Sequence, residues 1–558
     1  MPHRSEKRLS RRQLLGSGVA VGVSAALGLP AQFLSAQQPS AAPAEELVLI
    51  NGRIHTMDRN NAVVQTVSMR NGRFVAVGGA APRRGAGIRI IDLKGRTVVP
   101  GIIDNHNHIV LMGNRPGYHT PLENALSIRD VQETISARAK SIPQGAWITT
   151  IGGFHRNQLA PPAQTPRLPT LSELDEASPN NPVYISEGFT GPSATNSLGK
   201  KFFESLNPPV PVGADGSIAA GPQATTRVTL ALRQTLLNFD QRKRGAIDAM
   251  NYGLSLGITT HQDQGAFQAT NTPADGAAHE DNYTMNLPFL ALHDEQKQPA
   301  RLRINFLHQD TTADLPTLTE RLKNSFKFFG DDMVRTGAIG EFIIAIGASQ
   351  DLFVAAAKRV AKAGWRAEVH SLTPTDYQQE IQGYEAAHAE FPITDLRWVV
   401  AHVPFITEPW VNRLKAMGGG LSLTSWRYLA GTEQQNGPPF RMIVDNGIHA
   451  GMSSDGMQIA PMNPWLHMYY ATTGLNARQV MINGAQKISR QEVLKLYTSN
   501  NGWFLREENQ LGTIEPGKLA DLAVLSDDYF TVPDESLKKI RSVMTVVNGN
   551  IAHNTNVL

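Results

Sequence analysis

Short apolar runs of the length of a buried strand recur through the middle of the chain, at 98–105, 257–261, 301–307, 337–344, 366–370, 396–402, 420–424 and 449–455. Most of the last six lie roughly thirty residues apart, the length of one strand plus its returning helix, and amphipathic stretches such as 352–363 fill the gaps. The pattern predicts an α/β fold in which eight parallel strands and their helices close into a (β/α)8 TIM barrel spanning 98–507. Runs with strand character also stand near both ends, at 46–54 with an Asn51-Gly52 turn, 74–79, 88–93, 522–525 and 543–551. They predict a small composite β-sandwich, built from 45–97 and 508–558, with the barrel inserted in it. The stretch at about 114–231 is Pro-rich and too long for an ordinary loop; it is read as an irregular insertion capping the barrel mouth.

At 558 residues, 41% of them apolar, the chain has material for one large barrel and a smaller unit, so disorder is excluded as the bulk state. A formal net charge of +3 without long single-sign runs gives no ground for a nucleic-acid partner or an anionic membrane, which leaves a small-molecule substrate and, among protein partners, a second copy in a homo-oligomer. The N-terminus reads Ser10-Arg11-Arg12-Gln13-Leu14-Leu15 before an apolar run at 16–29. This resembles a twin-arginine export signal occupying residues 1–40, with an uncleaved anchor as the alternative, and it predicts a periplasmic or secreted protein with no stable membrane insertion once the signal is removed. With no cysteine in the chain, thiolate metal ligands and cysteine nucleophiles are excluded.

Functional groups of such barrels gather at the carboxyl ends of the strands. Here those ends carry His106 and His108 after the first strand, His370 after the fifth, His402 after the sixth and Asp455 after the eighth. Residues i and i+2 of a strand share a face, so two imidazoles at 106 and 108 can grip one divalent cation. Each of these residues alone has an ordinary role available, as a hydrogen-bonded loop histidine or a helix-capping aspartate. Together at consistent positions they point to a metal site.

On Pro100-Gly101-Ile102-Ile103-Asp104-Asn105-His106-Asn107-His108, Glu368-Val369-His370, Val400-Ala401-His402, Ser453-Ser454-Asp455 and the tail Leu511-Gly512-Thr513-Ile514-Glu515-Pro516-Gly517-Lys518-Leu519-Ala520-Asp521-Leu522, the chain resembles the amidohydrolase superfamily and its YtcJ-like branch. The resemblance implies one metal on His106, His108 and Asp455, a second on His370 and His402, and a fourth-strand carboxylate bridging them. That carboxylate is usually a carbamylated lysine, which the stretch 334–344 lacks; Glu341 is the natural replacement. An ungapped match would put Gly340 there instead, and a slip of one residue reverses the face of a strand. The branch also usually carries a histidine where this chain has Gly188-Phe189-Thr190.

A mixed His/carboxylate set suits two zinc ions, with manganese, iron and cobalt as alternatives. The resemblance implies hydrolysis of a C–N bond, in an amide, N-formyl or N-acyl compound, by a metal-activated hydroxide with Asp455 as general acid and base. An ester or lactone hydrolase, a metal-dependent lyase or isomerase, and a non-catalytic periplasmic binding protein are the alternatives on the same fold. Trp426 and Tyr428 after the seventh strand, and Phe154 and His155 in the insertion, are the candidate substrate contacts. His261 and Asp263 are candidate supports for the metal ligands.

Overall fold

Gly101 divides what the sequence presents as one long apolar strand. Thr97–Pro100 joins a sheet near the chain ends, whereas Ile102–Asn107 turns into the barrel. A side chain at 101 would run into Thr259, whose Oγ1 lies 2.2 Å from where a Cβ would stand, so only glycine lets these strands pass so closely. The computed structural model describes residues 46–80, 85–160, 162–188, 190–265, 285–456 and 460–558. The export signal read over 1–40 therefore lies outside the described residues.

The barrel strands are β1 (Ile102–Asn107), β2 (Ile258–Asp263), β3 (Arg301–Phe306), β4 (Val334–Ile339), β5 (Glu368–Ser371), β6 (Val399–His402), β7 (Gly420–Thr424) and β8 (His449–Ser453). They form two four-stranded parallel sheets, ordered β4-β3-β2-β1 and β5-β6-β7-β8. Single parallel bridges join the sheets at both seams, Ile339 to Ala367 and Asn107 to Gly456, without a continuous ladder. Two strand readings need correction. The first strand begins at Ile102 rather than at 98, and the fourth runs over Val334–Ile339 rather than 337–344, so that the apolar Phe342, Ile343 and Ile344 belong to the loop beyond it. Those three side chains are buried outside the sheet, and burial without a ladder is what made them look like strand. The amphipathic helix expected at 352–363 is observed as Gln350–Lys362, capped by the Ser349 side chain.

One six-stranded sheet takes Arg53–His55, Val63–Val64 and Thr97–Pro100 from the first hundred residues and Leu522–Leu525, Ser542–Val547 and Asn550–Asn554 from the last forty. It shares a core of Ile54, Val98, Leu522 and Val524 with Leu47, Val67 and Phe74 of a four-stranded sheet formed by Glu46–Ile50, Val67–Arg70, Arg73–Val77 and Ile88–Asp92. Two buried ion pairs tie the start of β3 to the returning C-terminal segment: Arg301 grips Asp521 through Nε and Nη2 at 2.7 and 2.8 Å, and Arg303 grips Glu507 likewise.

The stretch read as an irregular insertion is a folded unit. Tyr118–His119, Ile148–Ile151, Val183–Ser186, Ser193–Thr195 and Ser217–Ile218 make a five-stranded sheet, with separate apolar clusters around Ile135 and Phe203. Its short strands and many turns hid the alternation from a reading that looked for longer runs. Among the described residues, no helix is long and apolar enough to cross a membrane.

Candidate metal centre

All six residues proposed as metal ligands converge at the carboxyl ends of the barrel strands. His106 lies in β1 and His108 one residue beyond it, Glu341 two residues past β4, His370 in β5, His402 at the end of β6 and Asp455 two residues past β8. They form two groups of mutually close donor atoms: His106, His108, Glu341 and Asp455 in one, Glu341, His370 and His402 in the other. Glu341 belongs to both.

The spacings are those of donors facing a common centre. His108 Nε2 lies 3.3 Å from Glu341 Oε2 and 3.3 Å from Asp455 Oδ1. His106 Nε2 stands 3.7 Å from Glu341 Oε1 and 3.8 Å from Asp455 Oδ1, too far to hydrogen-bond either. On the other side, His402 Nε2 is 3.0 Å from Glu341 Oε1, the oxygen that His370 Nδ1 also contacts. His402 and Asp455 hold left-handed backbone, with φ of 69° and 55°, a conformation that costs a non-glycine residue about 1 kcal/mol and that here turns both side chains inward.

The strand geometry explains the placement. Asp455 donates its backbone N–H to the His106 carbonyl at 2.9 Å, so the seam between β1 and β8 fixes the spacing of those two candidate ligands. At the other seam His370 donates its backbone N–H to the Glu341 carbonyl at 3.1 Å. Asp104 reinforces the first seam, accepting from the backbone and hydroxyl of Ser454 at 2.9 and 2.5 Å. The second ring nitrogens have partners as well: His106 Nδ1 meets Glu368 at 2.6 Å, His108 Nδ1 the Gly265 carbonyl at 2.8 Å and His402 Nδ1 the Thr424 hydroxyl at 3.1 Å.

This arrangement fits a divalent cation. His106 Nε2 is buried without a hydrogen-bond partner among the described residues, pointing at two carboxylates it cannot reach. Burial by itself would depress the His106 imidazole, but the Glu341 and Glu368 carboxylates outweigh it and push it up to about 10. Burial likewise opposes charge on His108, yet Asp455 and Glu341 carry it well above the usual histidine range. Glu341, which burial alone would raise, is held well below the carboxylate range by His370, His106 and His108. The field on the His106 and His108 side of the centre thus favours positive charge, which is what a metal ion supplies.

The proposed substrate contacts behave differently. Tyr428 is buried and packs edge-on against Tyr469, and Phe154 is buried in the apolar cluster of the insertion. His155 caps the short helix Arg156–Leu159, accepting from the Asn157 backbone at 3.1 Å, while Arg156 is neutralised by Glu187. Trp426 remains half-buried with the Arg427 guanidinium stacked 4.1 Å over its ring. His261 bonds Asn107 through Nδ1 and packs its ring against Gly253 of the helix Phe239–Ser255, away from the ligands; Asp263 accepts from the backbones of Val110 and Gly265 and orders the loops that carry His108 and its partner.

Sequence reasoning missed Glu368. It is buried, two residues before His370 on the same strand face, and Arg366, Gln262 and Gln264 all donate to it. The signal was available, since a carboxylate at i−2 from an inward histidine must also point inward.

The model of the amidohydrolase family matches residues 89–553, and the chain belongs to that family. The N-substituted formamide deformylase of Arthrobacter pascens is 25% identical over 553 residues, covering 90% of this chain and 97% of that protein. The YtcJ protein of Bacillus subtilis (strain 168) is 22% identical, covering 83% and 90%. Among solved structures, a metal-dependent hydrolase from Pyrococcus furiosus superposes with a TM-score of 0.56 at 18% identity, covering 87% of this chain and 100% of that one. Atrazine chlorohydrolase TrzN from Arthrobacter aurescens TC1, complexed with zinc, does so at 0.54 and 16%, covering 92% and 97%. The protein is a metal-dependent hydrolase of the class that acts on carbon–nitrogen bonds other than peptide bonds, with an α/β fold of the TIM-barrel type.

Proposed function

We propose that the protein hydrolyses the C–N bond of a small N-formyl or N-acyl amide at a two-metal centre, with zinc as the best match to the donors. The observation that carries this reading is the single carboxylate of Glu341 shared by both donor groups. On this reading His106, His108 and Asp455 would hold one ion and His370 and His402 the other, with Glu341 a donor within reach of both sets. A divalent cation there supplies a Lewis acid for the amide carbonyl and makes water easier to deprotonate near neutral pH.

The chain's own residues do the rest. Asp455 takes the proton from the attacking water and returns it to the departing nitrogen, so that the amine leaves neutral. Its placement 3.3 Å from His108 Nε2 suits that shuttle, because one carboxylate oxygen can stay with the ligands while the other handles the proton. Glu368 and Thr424 hold the His106 and His402 rings in one orientation through the transfer. The full-length similarity to a formamide deformylase supports a formyl or small acyl group as the part released. Export through the twin-arginine route, which carries folded proteins, belongs to the same proposal.

Metal analysis by plasma mass spectrometry, beside a Glu341→Ala variant, tests it. The expected result is close to two equivalents per chain in the wild type, fewer than one in the variant, and formate release from N-alkylformamides in ¹⁸O water with label in the product. One equivalent, unchanged by the substitution, removes Glu341 from the centre. Turnover without incorporated label overturns hydrolysis in favour of a lyase or isomerase.

A further inference from the structure

His370 is the most exposed of the six candidate ligands, its side chain 17% accessible against 5% or less for the others. Its open edge lines a recess of about 70 Å³ between the loop after β4 and the helix Pro374–Glu390. Phe342, Ile344, Phe353 and Val369 form the apolar part of its walls, with Asp376, Gln379 and Glu380 on the helix side. Glu380 is 6% exposed, and its Oε2 has no hydrogen-bond partner among the described residues. Burial drives its carboxyl well above the usual range, with the help of Asp376 and against the pull of Ser371.

An unpartnered polar atom in an apolar recess costs stability unless a ligand satisfies it. The recess opens beside the reacting centre, has carboxyl groups of Glu341, Asp376 and Glu380 on its walls, and has no lysine or arginine there. A carboxylate entering it would lose its water, find no lysine or arginine on the walls, and face the carboxyl groups of Asp376 and Glu380. Its volume is about half that of the ~150 Å³ cavity known to take up benzene, so an aromatic ring does not fit within it whereas a short chain does.

We infer that this recess is the subsite for the nitrogen substituent, and that it selects a short, uncharged group bearing one hydrogen-bonding atom for Glu380 while rejecting carboxylates. The inference rests on the amide-hydrolase reading above and narrows its substrates to neutral N-substituted amides, to the exclusion of N-acyl amino acids. Glu380 is then a specificity-determining residue, with Gln379 closing the floor through its bond to the Ala348 carbonyl at 2.9 Å.

The probes are N-formylglycinamide and N-formylglycine, which differ by one charge at nearly equal size, with N-propylformamide as the purely apolar control. Binding is read by titration calorimetry on protein carrying Asp455→Asn, which silences proton transfer; because Asp455 is also a candidate metal ligand, the metal content of the variant is first matched to wild type by plasma mass spectrometry. N-formylglycinamide is expected to bind at least tenfold more tightly than N-formylglycine. Adding Glu380→Leu should lower its affinity about tenfold and leave N-propylformamide unchanged or tighter, whereas Glu380→Gln should retain most of the amide affinity. Ala345→Trp, half-exposed on the rim, should block all three. Equal affinities for the charged and uncharged probes, or insensitivity to Glu380→Leu and Ala345→Trp, would overturn the assignment; a preference for N-formylglycine would also overturn it and direct attention to the Arg427 guanidinium. Failure of the wild-type enzyme to release formate would sink the hydrolytic reading and leave this binding contrast intact, so the two are separable.

Discussion

Glu368 accepts a hydrogen bond from His106 Nδ1 at 2.6 Å and itself receives Arg366 Nη2 at 2.7 Å and the Gln262 and Gln264 amides at 3.0 Å each. This fixes His106 as the tautomer whose Nε2 is free for a cation and enriches the ring as a donor. Glu368→Gln keeps the shape but removes the charge, and metal affinity measured by chelator competition is expected to fall ten- to a hundredfold, while the thermal midpoint of the metal-free protein also drops because the buried Arg366 loses its counter-charge. At this scale the sequence was legible where chemistry singles out a residue type. His106, His108, His370, His402 and Asp455 all stood at strand ends, and Glu341 was the carboxylate at hand where a lysine was missing. It was illegible where a residue's role depends on what faces it. Nothing in the letters separates Glu341, shared between two histidine sets just past β4, from Glu380, buried within the helix Pro374–Glu390, because the role of each depends on what the fold sets against it.

Between residue and molecule, the elements follow from sequence as far as their periodicity is unbroken. β2, β3 and β7 sit where apolar runs placed them, and β6 ends where expected but starts at Val399 rather than 396. β1 and β4 do not, for reasons rooted in one neighbour each: Gly101 ends a terminal-sheet strand and starts a barrel strand in immediate succession, and the apolar loop after β4 is buried by helices rather than by sheet partners. Gly101→Ala tests the first case. Its new methyl group would lie 2.6 Å from Thr259 Cγ2, so the strands must part, at a cost of about 1–3 kcal/mol. Thermal unfolding should show that penalty in the wild-type background and a smaller one when Thr259 is also replaced by alanine; additive effects would place the strain elsewhere. The metal content of the variant should fall as well, since β1 carries His106 and leads directly into His108.

At the scale of the whole molecule, the insertion is joined to the barrel mouth by buried polar contacts as well as by packing. Glu123 of the insertion is buried, accepts from the Met462 backbone beyond β8 at 2.6 Å, and takes the Tyr252 hydroxyl from the helix before β2. Asn157 reaches the Leu429 carbonyl after β7 at 3.0 Å, and Asn463 reaches Asn124 at 2.7 Å. None of these joints was visible in sequence, because each pairs residues more than a hundred positions apart whose letters carry no distinctive pattern. The Glu123 joint has a pH signature. Burial raises its carboxyl from 4.5 to about 7, against the pull of Tyr252 and the Met462 backbone. The folded protein therefore keeps a proton there that the unfolded chain has released, and stability falls as pH rises from about 4.5 to about 7, levelling off above. At about 1.4 kcal/mol per pH unit the full effect is about 3 kcal/mol. Glu123→Gln cannot titrate; it loses one hydrogen bond at every pH but should lack this slope. Unfolding midpoints of wild type and variant, measured from pH 4.5 to 8, are expected to converge as pH rises and to run parallel above about 7. Parallel curves throughout would mean that Glu123 is already ionised in the folded protein and that the joint to the eighth-strand loop is a charged one.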